Sequence, residues 1–270
     1  EIGSGLVGSE MCIRDSVYSW RNINVGNMFK NSYDYQRELD SHMMKNTEWG
    51  SVAYLQHSKY GSGASVRINN NSAHITGYAG TEEPTLGYAG GTSTAGNRIE
   101  STALGVDATY SVNYLNSKSL VASTTNNYSG IYDMSGGAWE YVMGYTTGAT
   151  TVGGSSGITS LYPNFFSNSA YSKYWDRYTS TVNTNYNNRI LGDATGEMGP
   201  FGSEKDPDNN TRIKSSWYKN FVYFANSSKP WFERGGDWND GTAAGVFSFN
   251  RDYGGASAYI SYRVVLAPTK

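Results

Sequence analysis

Two carboxylates, Asp133 and Glu140, flank a pair of glycines and a tryptophan in the stretch SGIYDMSGGAWEYVMG, residues 129–144. Paired acids can hydrolyse a glycosidic bond if they face each other across a cleft at about 5–9 Å. Sequence spacing does not fix that separation. The residues read better as a frame: Asp133 caps the turn, and Glu140 accepts a buried hydrogen bond beside Trp139. Other chemical patterns fail on context. GGSSG (153–157) fits a nucleophile elbow in letters, but an elbow needs a strand before it and a helix after it. This one lies in YTTGATTVGGSSGITS (145–160), a low-complexity stretch read as an exposed loop or hairpin. DPDNN (206–210) hints at a calcium loop, yet Trp217 stands where the bidentate Glu belongs. It reads as a turn rich in Asx side chains.

Metal and redox chemistry find little support in the residue inventory. His42, His57 and His74 lack the spacing of a zinc helix. His57 is expected to cap or pack at a helix end, and His42 precedes Met43 and Met44, which look like core filler. The single Cys12 excludes an internal disulfide and a thiolate cluster. No metal and no cofactor are expected.

The elements that must position these residues come from an unusual composition. Of 270 residues only 16% are charged, against about 25% in an average chain. Tyr (23) and Gly (32) are abundant, which favours short strands, many turns and ordered polar loops over long charged helices. A net charge of −2 gives no electrostatic case for nucleic acid or an anionic membrane. No apolar run approaches the roughly 18 residues of a spanning helix. The polar, low-charge surface looks extracellular.

Residues 1–16 have no periodicity and resemble translated sequencing debris, so they are expected to be a non-native leader. The native N-terminus, with any signal or anchor, would then be missing. Residues 17–270 are read as a single domain. NTEWGSVAYLQHSKYG (46–61) predicts a helix capped by Asn46 or Thr47, with Trp49, Val52, Ala53 and Gln56 on one face and Gly61 as its stop. A second short helical segment is expected within 33–44. Between 161 and 226, irregularly spaced aromatics predict turns and loops pinned by rings. GVFSFN (245–250) and YISYRVVLA (259–267) alternate as strands, with Ile260, Tyr262 and Val264 on one face.

GIYDMSGGAWEYV resembles the signature of formylglycine-generating enzymes and their relatives, G-[LV]-x-D-M-x-G-N-V-W-E-W. WFERGGDWNDGTAAGVFSF…YISYRVVL (231–266) is similar to that family's closing block, matching at Arg234, Gly235, Gly236, Trp238, Arg263 and Val264. The helix EWGSVAYL fits the family's Trp-containing helix, and the blocks run in order over residues 46–267. The resemblance implies an α+β fold of the C-type-lectin-like class, in its sulfatase-modifying-factor variant, with long irregular Gly/Ser/Asn/Tyr-rich insertions. It does not carry the enzymes' chemistry. Formylglycine-generating members use a late cysteine pair, and no Cys follows residue 12; the iron-dependent sulfoxide synthases need three histidines, and no His follows residue 74. Asp133, Gly136, Gly137, Trp139 and Glu140, with Arg234, Gly235, Gly236 and Arg263, are then frame, and the chain is expected not to be an enzyme.

A non-enzymatic branch fits better: the variable proteins of diversity-generating retroelements, which rewrite a C-terminal ligand-binding surface by adenine-directed mutagenesis. Every residue of NDGTAAGVFSFNRDYGGASAY (239–259) is reachable from AAC or AAT codons. Tyr brings contact area at low entropic cost, while Ser, Gly and Asn supply adaptable hydrogen bonds. Val246, Phe247 and Phe249 should face the core. Asp237, Asn239, Asp240, Asn250, Arg251, Asp252, Tyr253, Ser257 and Tyr259 are the expected displayed set. Chains of this pattern come from Gram-positive gut bacteria and their prophages, some with a pilin-like N-terminal helix. The implied setting is a pilus, a cell surface or a phage tail, and the implied partner a protein or glycan on another surface. An invariant adhesive or phage-tail protein is the alternative, and an enzyme of the family is the third reading.

Overall fold

The computed structural model describes residues 20–61, 63, 123–125, 127, 130–131, 134–136, 138–147, 155–179, 190–195, 201–205, 213–215, 221–237, 240 and 244–267. In chain order these give α1 (Val25–Tyr35), β1 (His42–Met43), α2 (Asn46–His57), β2 (Trp139–Thr146), α3 (Ile158–Leu161), β3 (Asp176–Tyr178), β4 (Phe201–Lys205), β5 (Ile213–Ser215), β6 (Phe221–Val222), β7 (Trp231–Gly235), β8 (Gly245–Asp252), β9 (Ile260–Tyr262) and β10 (Val264–Val265). Short 3-10 turns cover Arg37–Leu39 and Ser169–Tyr174. The architecture is α+β. Among the described residues, eight strands form one sheet in the order β3-β2-β7-β8-β6-β5-β4, with β9 also paired to β2. β1 and β10 form a separate two-stranded sheet.

The sheet is mixed. β2 runs antiparallel to β7 and parallel to β3 and β9, and β7 and β8 are antiparallel. All eight residues of β2 are buried, because both faces of the sheet are covered. Alternation sorts the side chains. Trp139, Tyr141, Met143 and Trp231 join Val25, Met28 and Phe29 of α1 on one face. Val142, Phe232 and Phe249 join Trp49, Val52 and Ala53 of α2 on the other. Val246, Phe247 and Phe249 are core, as expected of the apolar side chains in this stretch. The aromatics after residue 161 anchor irregular chain: Phe29 lies 4.8 Å from Phe165 and 5.4 Å from Tyr162, ring to ring.

Several local expectations are corrected. A short helical segment, the 3-10 turn Arg37–Leu39, does lie within 33–44; the element not expected is α1 before it, whose buried face comes from Val25, Met28, Phe29 and Ser32. Asn24 caps α1, its side-chain oxygen accepting from the Asn27 N–H at 2.9 Å. α2 buries Trp49, Val52, Ala53 and Gln56 as expected, but its cap is neither Asn46 nor Thr47. Glu48 reaches back to the Lys45 N–H at 2.8 Å, and Asp176 accepts from the Thr47 N–H at 2.7 Å. The helix also stops at His57, before Gly61, with Ser58 as its C-cap. The His57 ring packs 5.1 Å from Phe247. Part of 145–160 is core, not exposed loop: Tyr145 and Thr146 end β2, and Ser156 and Ile158 are fully buried.

The C-terminal strand is two strands. β9 follows β2, then the chain changes sheets at Arg263 and β10 pairs with β1. The simple alternation of Ile260, Tyr262 and Val264 breaks there because Arg263 turns inward. Its Nε donates to Glu140 Oε2 at 2.9 Å, and Nη2 donates to Glu140 Oε1. The pair is buried, with side-chain exposures of 6% and 10%. Gly235 (φ 89°) and Gly236 (φ 81°) need the left-handed region, and a Cβ on Gly236 would come 2.7 Å from the Ala244 Cα. Residues 1–16, Asp133 and Gly137 lie outside the described residues.

Glu140→Ala leaves the Arg263 guanidinium buried without its counter-charge, so denaturant unfolding should register a loss of about 3–5 kcal/mol. Glu140→Leu combined with Arg263→Met should lose distinctly less than the single change.

Candidate ligand-display surface

β8 and β9 are joined by residues 253–259, and this loop is fastened on both sides. From the N-terminal segment, the Val25 N–H donates to the Gly254 oxygen at 3.0 Å and the Asn22 N–H to the Ser257 oxygen at 2.9 Å. The Arg21 guanidinium donates to the Ala258 oxygen at 2.8 Å, and the Ser261 hydroxyl donates to the Trp20 oxygen at 3.3 Å. From the sheet, the buried Tyr141 hydroxyl lies 3.0 Å from Asp252 Oδ2 and 3.2 Å from the Gly255 oxygen. Gly254 (φ 82°) rests on Trp231, whose ring would meet a Cβ at 2.5 Å. A loop tied at this many points has little conformational freedom left to lose on binding.

The expected displayed residues divide into three groups. Tyr253 and Tyr259 are exposed, at 47% and 46%. Lys229 stands over the Tyr253 ring at 5.0 Å, on a turn held by Asn226. Ser257, half-buried, accepts from the Tyr259 N–H. Asn250, Arg251 and Asp252 are the second group. Asn250 ends the strand expected over 245–250, and the strand runs two residues further, so that all three are the last residues of β8, half-buried and engaged. Asn250 donates to Glu233 at 2.9 Å, and the Arg251 guanidinium stacks 3.7 Å over Tyr223 and donates to the Phe224 oxygen. The strand continues past Asn250 because β7 still offers partners, pairing Phe232 with Arg251 and Trp231 with Asp252. Asp237 and Asp240 form the third group, closing a turn in which the Asp237 N–H donates to Asp240 Oδ2 at 2.9 Å. Asn239 lies outside the described residues.

Sequence reasoning passed over the polar row beneath this loop. Pairing places Tyr141, Glu233 and Asn250 side by side on three adjacent strands. The signal was available in WFERG, where alternation sets Glu233 on the face of Trp231. Burial, with the nearby charge of Asp252, holds the Glu233 carboxyl well above the usual range, against the opposing pull of Lys229 and the Asn250 hydrogen bond. Burial likewise raises the Tyr141 hydroxyl, helped by Glu233 and Asp252. Glu140 is committed to Arg263 and stands apart from this row. Among the described residues no group of three or more His, Cys, Asp or Glu is placed to hold a metal ion. Among them, too, no helix is long and apolar enough to cross a membrane. No protein-family model matches the chain, and no curated protein matches it.

Two outcomes follow from this arrangement. Trp139→Ala should cost about 3–5 kcal/mol in a denaturant titration, and Tyr253→Ala about 0.5 kcal/mol or less. Glu233→Gln keeps an acceptor for Asn250 and removes the titration. Because the folded-state value is raised, the unfolded chain releases this proton first as pH rises, and the wild type loses stability between the usual carboxylate range and the raised value. The stability of the Gln variant relative to wild type should therefore grow from mildly acidic to neutral pH.

Proposed function

We propose that the chain is a ligand-binding display protein of C-type-lectin-like architecture, which presents residues 253–259 and their flanks to a protein or glycan on another surface. The observation that carries this reading is the loop itself: two half-exposed tyrosines on a segment tied to residues 20–25 and to Tyr141. Exposed aromatic rings on an ordered polar loop give contact area at small entropic cost. The sequence of 239–259, all reachable from AAC or AAT codons, supports the finer reading of a diversity-generating-retroelement variable protein, displayed on a pilus, cell surface or phage tail. Asp133, Gly136, Gly137, Trp139, Glu140, Arg234, Gly235, Gly236 and Arg263 are scaffold in this reading, and no catalysis is assigned.

One observation favours the alternative of an invariant adhesive protein. Asp252 is tied to Tyr141 and Asn250 to Glu233, so rewriting either position would cost framework hydrogen bonds. The DNA beside the gene separates the two: a reverse transcriptase and a near-copy of the 3′ end, differing only at adenines, is expected for a diversified chain. For display itself, Tyr253→Ser with Tyr259→Ser should leave the melting temperature within about 2 °C and abolish binding to a glycan array or to epithelial cells on which the wild type binds. Retained binding in that variant would overturn the assignment of the surface.

A further inference from the structure

His42 stands away from the display surface, where β1 meets the first turn of α2. Its Nδ1 lies 2.6 Å from the Asp40 carbonyl oxygen and its Nε2 lies 2.9 Å from Glu48 Oε1. Both partners are oxygens with no hydrogen to give. A neutral imidazole has a single N–H and can serve only one of them, whereas the imidazolium serves both. The residue is buried, at 4% exposure, so water is poorly placed to stand in for a missing donor.

We propose that His42 is a proton-operated clasp: its imidazolium fastens the β1–β10 sheet to the N-terminus of α2, and loss of the proton releases one of its two bonds. The surrounding charges come from every side of the corner. Asp40 contributes its carboxylate, itself bound by Lys173 and by the Tyr174 hydroxyl, and the Tyr174 ring lies 5.5 Å from the imidazole. α2 contributes Glu48, with Lys45 at its cap, and β3 contributes Asp176, which is bound to Thr47. The ionic groups along α1, Lys30 and Asp34, pair with each other, and Arg37 pairs with Asp34. Burial works against the charged ring, but the hydrogen bond and charge of Glu48, together with Asp40, outweigh it and raise the His42 value. Glu48 shows the reciprocal balance, its burial outweighed by His42 and its value lowered. The sign follows from linkage. The raised His42 contributes stability that is complete below its unfolded value and is lost as pH rises through the folded one. The lowered Glu48 contributes stability above its own unfolded value, so the clasp is closed between the usual carboxylate range and the raised His42 value and opens as pH rises through that value. Because His42 pairs with Val265, and β10 follows the display loop and β9, opening loosens the stretch that ends the sheet.

The test is an NMR titration of the full chain from about pH 5 to 9, with His42 assigned against His57→Gln and His74→Gln. The midpoint should lie above about 6.5, with both ring nitrogens protonated below it. Glu48→Gln should lower the midpoint. Amide protection at 42–44 and 264–265, corrected for intrinsic exchange, should fall severalfold through the wild-type midpoint. A midpoint at or below about 6.5, one bare ring nitrogen on the acid side, or protection that ignores the titration would overturn the clasp.

Discussion

The guanidinium of Arg234 is fully buried, and the arrangement of both halves of the molecule depends on how it is satisfied. Burial draws its pKa down to about 10, with the charge of Asp193 pulling the other way. A buried charge of this size is tolerated only with hydrogen bonds around it. Nη1 donates to Asn46 Oδ1 at 3.0 Å and to the Asp193 oxygen at 3.4 Å, and Nη2 lies 3.5 Å from the Val246 oxygen. The circuit then closes. Asn46 donates to the Tyr178 hydroxyl at 2.7 Å, and that hydroxyl donates to Asp193 Oδ2 at 2.9 Å. One side chain thereby fixes the start of α2, the 190–195 turn, β3, β7 and β8 at once. The Trp49 indole lies 5.7 Å from the guanidinium and donates to the Val246 oxygen, so the aromatic face of α2 joins the same centre.

A second buried charge sets the other end of the sheet. Glu140 and Arg263 lie on β2 and just beyond β9, and their pairing brings the C-terminal segment against the central strand before it leaves for β1. Between the two ionic centres the sheet is filled on both faces, which gives residues 253–259 a closely packed base. The loop's order comes from outside itself, through Tyr141 below and residues 20–25 alongside.

What could be read from the residues followed interaction range. The buried face of α2 was legible because the helical period is local, and Val246, Phe247 and Phe249 were legible as core because they are the apolar side chains of a polar stretch. Glu140, Arg234 and Arg263 could be named as frame from the pattern around them. Their partners could not be, since Glu140 and Arg263 are 123 positions apart and Arg234 and Asn46 are 188 apart. Only part of the capping of α2 was out of reach in this way: Glu48 and Lys45 are neighbours, but Asp176 arrives from 129 positions away. The clamp on residues 253–259 comes from a segment more than two hundred residues upstream, which no reading of 237–261 alone would suggest. The extension of β8 past Asn250 to Asp252 was hidden because Arg251 and Asp252 have loop-like chemistry. Only the pairing offered by β7 holds them in a strand.

The fastening of residues 20–25 along residues 253–259 also defines a route for force. A pull applied at Trp20 and resisted at Tyr259 would be carried by the contacts of Asn22, Arg21 and Ser261 across a short span. The partners run in opposite order, Trp20 with Ser261, Arg21 with Ala258 and Asn22 with Ser257, so a pull at this end would open the links one after another, beginning at Trp20. The Arg234 network and the packed faces of the sheet lie off that line. Tension between Trp20 and Tyr259 would thus be met first by these few hydrogen bonds and only afterwards by the packed interior.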